Sequence, residues 1–166
     1  MTKWNVQIVK EPTHSVSFGG STSAAQLINL RRVGAIALTY GINKDVYDLE
    51  LCQQIASIAN SFQIFEWVEC AEAIKRFLIE QGICGKQIKL FTGSTEDPFC
   101  NIYHEILNQN ISTNGHHEAI VLEIEGKELV FDNIHPQGVL RVDWINNLYC
   151  PIKDIGGDFQ ITEIDF

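Results

Sequence analysis

Three residues of this chain, Cys70, His117 and Asp132, are of the types that thiol chemistry requires. It needs a sulfur that can become an anion, an imidazole to take its proton, and a carboxylate to orient the imidazole. Cys70 opens a helical pattern. Cys70, Ala73, Ile74, Phe77 and Leu78 recur at i, i+3, i+4, i+7 and i+8, the apolar stripe of a helix lying on a core, and Gly82 is a natural stop. The spacing predicts a helix over 70–81, with Glu72, Lys75, Arg76 and Glu80 on its other face and Glu72 and Arg76 as an i,i+4 pair. At the start of such a helix, unpaired N–H groups and the positive end of the dipole favour a thiolate, while Glu66 and Glu69 oppose it. The pattern is equally met by a cysteine that merely packs as a small hydrophobe, and for the helix alone that is the favoured reading. Chemistry requires a base from elsewhere in the chain.

The elements that must supply the base and its orienter are two strands, at about 117–124 and 128–134. Pairing Ile120 with Phe131 and Leu122 with Leu129 makes one wholly apolar face that includes Ile124. A slip of one residue puts Asp132 on that face, and a lone buried carboxylate is costly. In the preferred register Ala119 opposes Asp132, so His117 and Asp132 are diagonal neighbours on the second face, roughly 7–8 Å apart at the backbone. The slipped pairing offers Asn133 instead. A two-residue Glu125-Gly126 turn would need positive φ at both positions, so a four-residue loop over 124–127 is expected.

The rest of the chain reads as one domain of 166 residues. Its 45% hydrophobic and 20% charged residues are those of a globular chain with a core. Residues 1–60 form a mainly helical N-terminal part, with an extended start over 1–20, a helix over 24–40 capped by Ser21-Thr22-Ser23, and a second helix from an Asp45 cap to about Asn60. Residues 61–150 hold the candidate core, and 151–166 a C-terminal strand. Between helix and hairpin come a strand over 86–91, a short helix from Pro98 through Ile106, and a turn-rich loop over 110–115. After the hairpin come a strand over 139–142 and a helical turn around Trp144. Helices first and a mostly antiparallel sheet after them make an α+β fold.

The net charge of -9 with no basic cluster argues against a nucleic-acid partner. No apolar run approaches the roughly 20 residues that span a bilayer, so no membrane partner is expected, and the N-terminus lacks a secretory core. Five cysteines, an odd count without CxxC spacing, point to reduced thiols in a cytoplasmic compartment. No metal or other cofactor is expected. His116 and His117 point to opposite faces of one strand, and with His135 and Cys150 they match no zinc spacing.

The runs Cys70-Ala71-Glu72-Ala73, Asn114-Gly115-His116-His117-Glu118-Ala119-Ile120 and Val130-Phe131-Asp132-Asn133-Ile134-His135-Pro136, followed by Trp144, resemble the papain-fold toxin domains of bacterial polymorphic toxin systems. The resemblance spans roughly Ile55 to Cys150 and implies a papain-like fold. It implies Cys70 as nucleophile, His117 as base, Asp132 as orienter, and His116 as the variable residue before the base. The implied reaction is attack on a peptide or glutamine carboxamide carbonyl of a protein substrate, by a peptidase or deamidase with a neutralising immunity protein as partner. A transglutaminase-like acyltransferase uses the same residues, and a non-catalytic binding module would leave Cys70 as packing. An oxyanion would take the Cys70 N–H and one further donor, for which Gln63 is the candidate. Trp67, Asn133 and Trp144 are candidates to line the substrate site.

Overall fold

A computed structural model describes residues 44–166, with side chains from Asp48 onward. The extended start and the helix expected over 24–40 lie outside the described residues. The described chain runs α1 (Lys44–Ala59), α2 (Trp67–Glu80), β1 (Lys86–Phe91), β2 (Ile102–His104), β3 (Gln109–Ser112), β4 (His116–Ile124), β5 (Lys127–Phe131), β6 (Val139–Leu140), α3 (Arg141–Asn146), β7 (Leu148–Tyr149), a 3-10 turn (Pro151–Ile155) and β8 (Gln160–Asp165). The strands form two sheets, of order β6-β5-β4-β1-β8 and β3-β2-β7, and every pairing is antiparallel. Helices and antiparallel sheets together give the expected α+β, papain-like arrangement.

The alternation of β4 organises the interior. Ile120 and Leu122 point to one face of the larger sheet, where they pack with Phe131, with Leu51, Ile55 and Ala59 of α1, and with Cys70, Ala71, Ile74 and Leu78 of α2. Ala119 and Val121 point to the other face, against Ile88, Leu90, Ile102, Ile111, Val130, Trp144, Leu148 and Cys150. The larger sheet is therefore a middle layer, with helices on one side and the small sheet plus α3 on the other.

The hairpin has the expected register, with Ile120 opposite Phe131 and Leu122 opposite Leu129. Its turn does not. Ile124 pairs with Lys127, leaving a two-residue turn in which Glu125 (φ 52°) and Gly126 (φ 73°) both take positive φ. That is the primed geometry, whose twist matches the flanking strands and outweighs the cost of a left-handed Glu. The short helix expected from Pro98 is also corrected. Residues 102–104 form a strand whose Ile102 and His104 point inward, and the supposed loop over 110–115 begins as its partner β3. A three-residue strand carries too short a period to be told from a helical turn, and only pairing with β3 and β7 fixes it.

α2 begins three residues earlier than its apolar stripe suggests, because Trp67 is itself buried. The expected Glu72–Arg76 pair is replaced by a polar bridge to the sheet: Gln87 Nε2 donates to Glu72 Oε1 (3.1 Å) and Glu118 Oε2 (2.7 Å), and Lys75 Nζ donates to Gln87 Oε1 (2.9 Å). Gln87 is 2% exposed on the helix-facing side of β1, so its amide requires these partners.

Candidate functional site

Cys70 is fully buried, one turn into α2. The chain reverses into this helix through Phe65, a non-glycine residue at φ 79°. Glu66 caps the helix by backbone position only, and its carboxylate accepts the Gln63 N–H at 2.6 Å. The Cys70 N–H closes the first turn on the Glu66 carbonyl at 3.0 Å. It is thus already paired, which corrects its expected role as an oxyanion donor. Burial, and then the charge of Asp132, push the Cys70 thiol up to about 12. This corrects the expectation of a thiolate stabilised by the helix start: the resting sulfur is a neutral thiol, since the low-polarity surroundings outweigh the dipole.

The candidate base, His117, lies on β4. The strand is entered through Gly115 at φ 84°, where a Cβ would stand 2.4 Å from the Ser94 carbonyl oxygen. Only glycine fits this close crossing, which accounts for the Asn-Gly ahead of the histidines. His116 points out and stacks on Phe91 at 4.4 Å between ring centroids. His117 is fully buried and bonds through Nε2 to Asp132 Oδ2 at 2.9 Å. Its other nitrogen, Nδ1, is buried without a hydrogen-bond partner among the described residues.

Asp132 follows the end of β5 and is 1% exposed. Its Oδ2 also accepts the Trp144 indole N–H at 2.8 Å. Its Oδ1 accepts the backbone N–H groups of Ile134 (2.9 Å) and His135 (2.6 Å) and bonds His135 Nδ1 at 3.1 Å. Burial alone would raise its pKa, but the hydrogen bonds from His117 and His135 more than offset this and hold it well below the usual carboxylate range. The hydrogen-bond partner of His117 is therefore Asp132 rather than Asn133. Asn133 turns the other way and donates its amide to the Gln63 carbonyl.

The two halves meet at one end of the sheet. Cys70 belongs to the helix-side core, whereas His117 and Asp132 share the face of Ala119 and Val121. The first turn of α2 nevertheless covers the end where β4 begins and β5 stops: the Trp67 ring lies 5.9 Å from that of His117, Asn133 ties to Gln63, and the charge of Asp132 is felt at Cys70. Of the residues expected to line a substrate site, Trp144 is fully buried and serves the carboxylate instead, which corrects that expectation. Trp67 is buried against His117. Gln63 contributes its backbone carbonyl to Asn133, while its side chain is exposed.

Sequence reasoning missed His104. It is 2% exposed on β2, with Nε2 3.1 Å from His135 Nε2 and Nδ1 accepting the Leu107 N–H at 3.2 Å. Placing it on a helix hid it; the inward alternation of Ile102 and His104 was the available signal.

No curated protein and no solved structure matches the chain. A family model, papain fold toxin 2, matches residues 50–149, a span that holds Cys70, His117, Asp132 and Trp144. With more than half of its 166 residues covered by that match, the chain belongs to the papain fold toxin 2 family.

Proposed function

We propose that the chain is a cysteine hydrolase, a toxin that attacks a peptide or glutamine carboxamide carbonyl of a protein substrate, with Cys70 as nucleophile, His117 as base and Asp132 as orienter. The observation that carries the proposal is the state of the His117 ring. Its Nε2 is committed to an ionised carboxylate, so Nδ1 bears the lone pair, buried and, among the described residues, unpartnered at the sheet end that α2 covers.

On this reading the Cys70 S–H proton passes to His117 Nδ1, and the sulfur's electron pair forms a bond to the carbonyl carbon. The new imidazolium offsets the Asp132 charge, which adds to burial in keeping the thiol protonated. Collapse of the tetrahedral intermediate breaks the C–N bond. The leaving amine, or ammonia from a glutamine, takes the proton from His117, leaving a thioester. Water then gives a proton to the same nitrogen as it attacks, and the thiol is restored. With the Cys70 N–H paired, the oxyanion falls to the N–H groups of Val68 and Glu69, first-turn donors ahead of any intrahelical acceptor. A neutralising immunity protein as partner and a cytoplasmic site of action belong to the same reading.

The test is brief expression of the native chain beside Cys70→Ala and His117→Ala, with mass spectrometry of the host proteins. New peptide termini identify a peptidase, conversion of glutamine to glutamate a deamidase, and joined amines an acyltransferase. A folded Cys70→Ala chain that reproduces every native modification would remove Cys70 from the chemistry.

A further inference from the structure

We propose that His104 and His135 form a positioning pair behind the site, a one-way chain of N–H donors that holds Asp132 aligned on His117 and leaves the charge of that carboxylate to His117. The inference rests on His117 being the base. The direction of the chain follows from its far end. The Leu107 backbone N–H can only donate, so His104 Nδ1 accepts, and the proton of neutral His104 sits on Nε2. That N–H donates to His135 Nε2 across 3.1 Å, so the His135 proton sits on Nδ1 and is donated to Asp132 Oδ1 across 3.1 Å. Asp132 Oδ2 then receives His117 Nε2–H. Every bond points toward the carboxylate.

This arrangement limits where a positive charge can reside. A second proton on His135 would occupy Nε2 and face the His104 N–H donor to donor. Relief would require His104 to abandon the Leu107 bond. His104 is itself kept neutral, since burial lowers its pKa below the ordinary 6.5. The titratable groups that act on His104 are His135, Asp132 and His117. A neutral His135 steadies Asp132 without claiming its charge, which is left to stabilise the imidazolium of His117. Both residues lie beyond Asp132 from His117, so neither takes part in bond making; they act through the carboxylate, as outer partners of a metal ligand act through the ligand.

The test uses the full chain with 15N-labelled histidine. Long-range 1H–15N correlations report which ring nitrogens carry protons, and the rate of Cys70 alkylation by iodoacetamide is followed from pH 8 to 6. The native chain is expected to show Nε2–H on His104, Nδ1–H on His135 and Nε2–H on His117. In His104→Phe, which keeps an aromatic ring but has no ring nitrogen, His135 is expected to gain a proton at Nε2 as the pH is lowered from 8 to 6. Alkylation should then fall roughly tenfold more over that interval than in the native chain. His104→Gln offers an amide N–H to the same nitrogen and should restore the native profile. Native ring states and a native profile in His104→Phe would overturn the pair. So would equal losses in both variants at every pH, which would mark packing alone. If His104→Phe does not fold, His135→Asn decides. It can donate to Asp132 but cannot gain a proton, so it should keep the native profile to pH 6, and a fall there overturns the proposal. A His117→Ala chain alkylated at the native rate across this range would instead overturn the assignment of the base.

Discussion

The two faces of the five-stranded sheet hold their candidate site residues by different means. On the helix side, Cys70 sits among Ile74, Leu78, Ile120, Leu122 and Phe131, and shape alone places it. On the other side, His117 and Asp132 are placed by hydrogen bonds: the carboxylate collects three side-chain and two backbone donors within 3.1 Å. Apolar packing is non-directional and tolerates a swap of similar volume. A buried carboxylate tolerates little, because each donor it loses is left without water to replace it. The face that needs only a position is built from packing, and the face that must fix the location of protons is built from a directed network.

The largest break in this contrast is Asp132→Ala. It leaves the His117, His135 and Trp144 donors and two backbone N–H groups unpaired, and should cost about 3–5 kcal/mol in chemical unfolding, with loss of activity. Next is Ile74→Ala on the packed face, expected to cost about 2–5 kcal/mol by leaving a cavity. The two should separate in a second measurement. Histidine 15N spectra of Ile74→Ala should retain the native ring states, whereas those of Asp132→Ala should not.

Acid titration should load the polar face alone. His104 has its pKa lowered by folding, so below 6.5 the unfolded chain binds the proton first, and stability falls as pH drops through and below that value. Asp132 is lowered from 3.8, so its contribution is complete above that value and is lost as pH falls further toward its folded pKa. Cys70 acts on the packed face in the opposite range. Its raised pKa makes stability decline as pH climbs from 9.0 to about 12. Denaturant midpoints from pH 3 to 8 should therefore fall toward acid in the native chain, and the step near 6.5 should vanish in His104→Phe. The smallest expected effect lies away from both faces. Glu125→Asn supplies the residue that the primed turn prefers and should raise stability by about 0.5 kcal/mol in thermal unfolding, leaving the site unchanged.

What could be read from the residues was whatever a local period encodes. The apolar stripe of α2 and the apolar face of the hairpin each repeat often enough to name their element, and the cost of burying Asp132 on the wrong face fixed the register. That register alone put His117 and Asp132 on one face. What local period does not encode was misread. β2 and β7 have three and two residues, shorter than any pattern, so the small sheet and His104 within it were invisible. The turn at Glu125 was misjudged because the twist of two long strands overrides the preference of one residue.

By itself, then, the sequence determined which side chains share a strand face and which helix carries the sulfur, because these follow from the repeat of the backbone. Tertiary structure decided the rest. Cys70 is a buried neutral thiol because two layers close over it, and its N–H is paired because Trp67 draws the helix start back by three residues. Asp132 is an anion because donors from β4, α3 and the segment after β5 converge on it. Charge, burial and hydrogen bonding depend on which distant segments become neighbours, and no short stretch of chain contains that information.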